Sequence, residues 1–237
     1  MSRTAQMKYI NLSSASILIS VFILLFLPVP LEGKQPEGLA PGLKYLDPYT
    51  IKGPKSFLDG YPPFAGKDAV NVIVEIPTGT NAKWEVTKPE GLLHWKEKKG
   101  RPRMVEYLSY PGNYGMVPRT LLPKEEGGDG DPLDVLVLGP ALARGTVVPV
   151  RVIGVLYLLD RGEQDDKLIA LPQSDPVMQA ESLKQLDEQY PGVLSIIETW
   201  FIRYKGPGKM KSGGYGNIKA AMEILHKAIR DFEREHP

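Results

Sequence analysis

The sequence contains no cysteine. That excludes disulfide bonds, thiolate zinc centres, lipid attachment through Cys and a cysteine nucleophile. It leaves the compartment open. Histidine is nearly missing as well. His94, His226 and His236 are scattered along the chain, so a metal held here would take oxygen ligands. Neither sign of charge dominates. There are 29 Lys and Arg against 28 Asp and Glu, a formal net charge of +1. Nothing in that balance marks a nucleic-acid or anionic-membrane binder. The common nucleotide and hydrolase signatures are also absent. None of the pairs Gly33-Lys34, Gly66-Lys67 and Gly208-Lys209 has a glycine five residues ahead of its own glycine, so there is no Walker loop. No GxSxG or HExxH string occurs.

One long apolar run is present. Ile17 to Leu27 is interrupted only by Ser20, follows Arg3 and Lys8, and is closed by Pro28 and Pro30. Eleven residues at helical rise reach about 16 Å, short of the roughly 30 Å of a bilayer core. A basic start and a short apolar stretch form the signal-peptide pattern. A small-x-small cleavage site is missing around Pro28–Gly33, so an uncleaved anchor is the alternative. Residues 1–32 are therefore expected to be a signal peptide or membrane anchor. They would make the protein exported or membrane-anchored, and cytoplasmic if the leader does not function.

Residues 33–66 are rich in Pro and Gly and read as an extended lead-in, partly docked by Tyr45, Tyr49 and Phe57. Residues 67–237 read as one folded domain. Val70, Val72, Val74 and Ile76 alternate with Asn71, Ile73 and Glu75, a strand. Pro77–Asn81 is a turn, and Lys83–Val86 is expected to return as the second arm of a hairpin. His94–Tyr110 reads as further strand material broken at Lys98–Pro102. Val135–Leu138, Thr146–Leu159 and Lys167–Leu171 read as strands. Ser174-Asp175-Pro176 reads as a helix start. Val193, Ile197, Trp200 and Tyr204 step at helical spacing, as do Ile218, Met222, Leu225, Ile229 and Phe232. Strands first and helices last predict an α+β fold with a mainly β core: a small barrel with C-terminal helices packed outside.

The chemistry concentrates in Glu125–Gly139, EEGGDGDPLDVLVLG. Asp129, Asp131 and Asp134 crowd against an apolar run. Two carboxylates about 5 Å apart repel by roughly 3 kcal/mol at an effective dielectric near 20, so the cluster calls for a cation. A calcium loop fails on spacing, because Asp134 stands where that loop needs glycine and Pro140 where it needs Glu. A solvated acidic turn is the bland alternative. Asp160, Glu163, Asp165 and Asp166 form a second acidic group, which alone is an ordinary charged hairpin tip. Glu75 lies in an apolar strand, where an unpaired carboxylate is costly unless it faces solvent. Lys83, Arg103, Tyr110, Tyr114, Tyr204 and Lys205 punctuate the same blocks. Facing carboxylate-bound metals, such groups make a pocket for a multiply charged phosphate.

Taken together, these blocks resemble the soluble, magnesium-dependent inorganic pyrophosphatases of family I. Asp129-Gly-Asp-Pro-Leu-Asp-Val135 matches that family's acidic signature at every position. VIVEIPTGTNAKWEV, YPGNYG, VIGVLYLLDRGEQDDKLIALP and WFIRYK are similar to family blocks, in family order. The resemblance implies a five-stranded OB-like β-barrel with flanking helices, and cleavage of pyrophosphate to two phosphates. By position, Asp129, Asp134 and Asp165 resemble the ligands of the first metal, and Asp134 also serves the second. Glu75, Asp160 and Asp165 would serve metals arriving with substrate. Lys83, Arg103, Tyr204 and Lys205 resemble the phosphate-binding set, supported by Tyr110, Tyr114 and Lys167. Glu85 matches a pocket carboxylate, and Asp131 the acceptor of a proton from the attacking water. The implied cofactor is Mg2+, several ions per site, with Mn2+ as the alternative. The implied partners are pyrophosphate and further copies of the chain. No nucleic acid is expected, and a membrane only through the leader. The leader and the lead-in depart from the family pattern. Rival readings are a metal-dependent phosphatase or polyphosphatase with a larger substrate, and a phosphate-binding module without turnover.

Overall fold

The computed structural model describes residues 39–174 and 178–236. The apolar leader lies outside them. No helix among the described residues is long and apolar enough to cross a membrane.

The strands are β1 (Lys44–Asp47), β2 (Thr50–Lys52), β3 (Val70–Ile76), β4 (Trp84–Val86), β5 (Leu93–Trp95), β6 (Glu97–Lys98), β7 (Arg101–Pro102), β8 (Asn113–Met116), β9 (Asp134–Val137), β10 (Val147–Asp160), β11 (Glu163–Gln164), β12 (Lys167–Pro172) and β13 (Met210–Gly216). The helices are α1 (Leu183–Gln189), α2 (Val193–Arg203) and α3 (Ile218–Glu235). Five strands close a ring in the order β3-β8-β9-β12-β10, and β10 pairs back onto β3. This is the expected five-stranded barrel with helices behind it. Closure leaves no bare edge among the ring strands.

β10 makes closure possible because it is 14 residues long. Val147–Val150 pair with β3, Val150–Leu156 with β12, and Val155–Asp160 with β13. One pairing in the ring is parallel. Its register sets Lys167 beside Asp134 at the first residues of β12 and β9. β8 approaches β3 so closely that a Cβ on Gly115 would stand 1.8 Å from the Ile73 carbonyl oxygen. Only glycine fits there.

β3 is buried along its whole length, although its alternation suggested one solvated face. Val70, Val72 and Val74 join a cluster with Val135, Val137, Val150, Leu168 and, from α3, Ala221, Leu225 and Ala228. Ile73 points the other way, among Ile51, Phe57, Trp84, Leu93 and Met116. That second layer is a four-stranded sheet, β1-β2-β5-β4. Two expectations change with it. The return strand expected at Lys83–Val86 forms as β4 from Trp84, but β4 pairs with β5 and not with β3. Both edges of β3 are already taken by β8 and β10. The lead-in also contributes to the folded body. β1 and β2 sit in the second sheet, and Phe57 is fully buried, while Tyr45 and Tyr49 stay well exposed.

The segment His94–Tyr110 is strand only in short pieces, and its remainder is a looped connection. The helix expected from Ser174-Asp175-Pro176 begins later. Asp175 and Pro176 lie outside the described residues, and α1 starts at Leu183 with Ser182 as its cap, whose Oγ accepts from Gln185 N–H at 3.2 Å. α2 and α3 appear where the spacing placed them. α3 is capped by the Asn217 side chain accepting from Ala220 N–H at 3.1 Å, a standard way of satisfying a free first-turn donor.

Candidate active site

The predicted site residues come from strand ends and adjoining loops. Asp134 opens β9, Lys167 opens β12 and Asp160 ends β10. Because Lys167 and Asp134 are register partners, the ammonium meets the carboxylate at 2.5 Å. Lys167 also binds Asp165. Lys205, just past α2, reaches Asp160 at 2.6 Å and Asp165 at 3.8 Å. Tyr114 donates to Asp134 at 2.5 Å. Lys83 lies 4.7 Å from the centre of the Tyr114 ring, a cation–π contact. Tyr204 is stacked on Trp200 at 4.6 Å, and Trp200 touches Tyr110 at 4.5 Å.

Burial gives these charges their character. Glu75 is only 4% exposed. Its Oε1 accepts from Val86 N–H at 2.7 Å, so β4 is fastened to β3 by a side chain and not by a ladder. Burial is the main reason its pKa rises to about 8; Asp134 and Glu85 add to the rise, while Lys83 and the Val86 N–H oppose it. Asp129 is pushed up to about 6, again chiefly by burial, with Asp134, Asp131 and Asp165 adding negative charge nearby. Burial pushes the Lys167 ammonium down, but Asp134 and Asp165 outweigh it, so its pKa lies above the usual value. Lys83 behaves alike, with Tyr110, Glu75, Asp134 and Tyr204 outweighing burial. Tyr110 and Tyr114 are held above the ordinary phenol range, first by burial. They enter the site as neutral hydrogen-bond donors.

Five carboxyl groups (Glu75, Asp129, Asp134, Asp160, Asp165) thus face three ammonium groups (Lys83, Lys167, Lys205), and with Glu75 largely protonated at neutral pH in the metal-free chain four acids still stand against three lysines. The excess is negative. Asp160 Oδ1 is buried and has no hydrogen-bond partner, which is expensive for a carboxylate oxygen. Among the described residues, no three acidic side chains already stand as a ready metal cage. Lys167 and Lys205 hold the acids together instead. The donor set fits hard cations, which take oxygen ligands and keep several waters.

A family model described as inorganic pyrophosphatase matches residues 72–233. The inorganic pyrophosphatase of Campylobacter jejuni is 35% identical over 168 residues, which cover 69% of this chain and 92% of the relative. That of Kluyveromyces lactis is 38% identical over 178 residues, 66% of this chain but only 62% of the longer yeast protein. The crystal structure of type I inorganic pyrophosphatase from Toxoplasma gondii superposes with a TM-score of 0.72 at 31% identity, covering 77% of this chain and 89% of that one. The chain belongs to the inorganic pyrophosphatase family.

Membership implies a divalent metal cofactor, in keeping with the carboxylate excess. The remaining residues expected from the sequence make the following contacts. Asp131 is half exposed and paired with Lys88, and its backbone N–H donates to Asp129 Oδ1 at 2.9 Å. Glu85 pairs with Lys96 at 2.8 Å. Arg103 is held by its backbone, its carbonyl accepting from Lys83 N–H at 3.0 Å and Trp95 Nε1 at 3.0 Å. Four supporting residues escaped the sequence reading. Lys88 donates to the Gly130 carbonyl at 2.6 Å as well as to Asp131. Arg144, 3% exposed, donates to the Glu75 carbonyl at 2.9 Å and lies over the Trp84 ring. Asn81 donates to the Val105 and Tyr107 carbonyls, each at 2.9 Å, and accepts from Ser109 at 2.7 Å. Trp200 spends its indole N–H on the Leu108 carbonyl at 2.9 Å. Only Trp200 carried a signal, its place on the apolar stripe of α2.

Proposed function

We propose that the acidic end of the barrel hydrolyses inorganic pyrophosphate to two phosphates with Mg2+ as cofactor. The observation that carries this reading is the unbalanced, buried acid–lysine cluster around Asp134, Asp160 and Asp165, in a chain of this family. Glu75, Asp129, Asp134, Asp160 and Asp165 would hold the metal ions; Mn2+ is the alternative ion, because both take oxygen ligands. When bound, such ions cancel substrate charge and acidify water.

The chain's own groups divide the remaining work. Lys83, Lys205 and Arg103 bind phosphoryl oxygens as charge-assisted donors. Tyr110, Tyr114 and Tyr204 orient them as neutral donors. Asp131 accepts the proton of the attacking water. Lys205, Arg103 and Tyr204 stabilise charge on the leaving phosphate, which is where preorganised donors lower a barrier most. Lys167 holds Asp134 and Asp165 in place through its two ion pairs. Glu85 sets the position of Lys96 beside the pocket.

The reading extends to placement and assembly. The basic and apolar leader supports export or anchoring. A homo-oligomer is supported by apolar exposure beside Trp200, where Leu108 is 71% and Ile196 63% exposed. The test is phosphate release by purified protein from pyrophosphate, tripolyphosphate and a nucleotide, with and without Mg2+. Fast Mg2+-dependent release from pyrophosphate is expected. No release from folded protein would leave a phosphate-binding module in its place.

A further inference from the structure

Residues 96–103, KEKKGRPR, carry five cations and one carboxylate. They fold as the β6–β7 hairpin, turning at Lys99 and Gly100, both at positive φ (56° and 69°). Lys98 is the register partner of Arg101. Arg103 N–H donates to the Lys96 carbonyl at 2.7 Å, which adds one more pair below. Side chains alternate faces along a strand, so Lys96, Lys98, Arg101 and Arg103 share one face of the ribbon. Like charges directly opposite each other destabilise a strand pair, and here two such pairs are stacked.

Among the described residues, only the inner pair has a counter-ion, Glu85 on Lys96. Among the described residues, no carboxylate forms an ion pair with Lys98 or Arg101. The base of the hairpin is joined to the pocket through one residue. Lys83 donates its N–H to the Arg103 carbonyl at 3.0 Å, and its own carbonyl accepts from Lys96 N–H at 2.9 Å. The ladder of cations therefore starts beside Lys83 and runs outward by roughly 7 Å, two residues of strand rise.

We propose that this hairpin is an anion track continuous with the pocket, and that it binds the distal phosphates of linear polyphosphates with three or more phosphates. Pyrophosphate fills the pocket alone; a longer chain places its terminal pair there and lays the remainder against Arg101 and Lys98. The track takes its starting point from the phosphate-binding reading of the pocket, but it requires only binding, not turnover.

The test compares wild type with the double variant Lys98→Met/Arg101→Met, and with Lys98→Glu as a second variant. Tripolyphosphate and a longer linear polyphosphate are used as competitors of pyrophosphate hydrolysis. In the double variant the inhibition constant of both competitors should rise about tenfold, a few-fold for each exposed cation. The kcat and KM for pyrophosphate should stay within twofold. The gap between the proteins should narrow at high salt, as exposed charges are screened. An unchanged inhibition constant would overturn the track. So would an equal rise in KM for pyrophosphate, which would place the hairpin in the pocket itself. Loss of binding to phosphatidylserine vesicles with an unchanged inhibition constant would overturn it in favour of a membrane surface. Calorimetric titration with tripolyphosphate separates the two readings. A binding difference in protein that does not cleave pyrophosphate would sink the proposed function and leave the track standing.

Discussion

Two clusters of acids and cations stand at different places in this molecule, and they are built on opposite rules. On α3, Lys227, Asp231 and Arg234 meet Glu126 from the loop before the acidic string. Asp231 accepts from Lys227 at 2.7 Å and pairs with Arg234 at 3.1 Å; Glu126 pairs with Lys227 and with Arg234. Two acids face two cations, and Lys227, Arg234 and Glu126 are substantially exposed. Such a cluster ties α3 to a loop and is electrostatically complete. At the acidic end of the barrel, five carboxyl groups, of which Glu75 is largely protonated at neutral pH, face three lysines, Lys167 is 1% exposed, and one carboxylate oxygen is buried without a partner. The same residue types thus give a structural fastening where charges balance in solvent. Where they are buried and unbalanced, they give a site that needs further cations.

The comparison can be broken most directly by removing the charge assigned to proton transfer at the rim of the acidic end. Asp131→Asn is expected to leave fold and metal binding intact and to lower turnover by about 10²–10⁴-fold, the range for a positioned acid–base group. Phosphate release and a metal titration of the same protein check this, and unimpaired turnover would remove the base assignment. Lys167→Met should cost about 3–5 kcal/mol of stability in chelator, because it leaves Asp134 and Asp165 buried together without their ammonium. Much of that loss should return when Mg2+ is added, whereas wild type should gain less. Thermal unfolding with and without the ion reads the difference, and an Mg2+-independent loss would show that the acids are not a cation site.

A third measurement uses pH. A carboxylic acid at about 8 in the folded chain, against an ordinary value of 4.5, binds more protons folded than unfolded between those values. Stability of metal-free protein should therefore fall as pH rises from about 5 to 8. Glu75→Gln should flatten that slope, and denaturant unfolding across the window would show it. The smallest effect belongs to the other cluster. Lys227→Met should change stability by about 1 kcal/mol or less, with no dependence on Mg2+, because Lys227 and Glu126 are exposed and the buried Asp231 keeps its pair with Arg234. A metal-dependent effect there would erase the distinction between the two clusters.

Much of the site was readable before folding. The acidic string Asp129–Asp134 pointed to a cation site because crowded carboxylates repel beside a buried strand, with a solvated acidic turn as the alternative. α2 and α3 were legible from periodicity. β4 was legible as a strand but not its partner, because pairing depends on which edges other strands leave free. Glu75 left two readings open, since alternation alone cannot tell a solvated face from one covered by a second sheet. Lys88, Asn81 and Arg144 had no local signal at all. Each acts on a group 24 or more residues away in sequence.

The sequence alone determined the kinds of chemistry this chain can perform: oxygen ligands, lysine and arginine cations, tyrosine donors, and no thiol. It also determined most strands and both long helices, because side-chain period is a local property. The tertiary structure decided how those groups combine. Ring closure through β10 and the parallel register of β9 and β12 set Lys167 against Asp134 and buried Glu75 under a second sheet. Burial then shifted proton affinities that are ordinary in the extended chain. The physical reason is that desolvation and charge–charge coupling depend on distances through space, and only the closed barrel brings residues 75, 134, 165 and 205 within reach of one another.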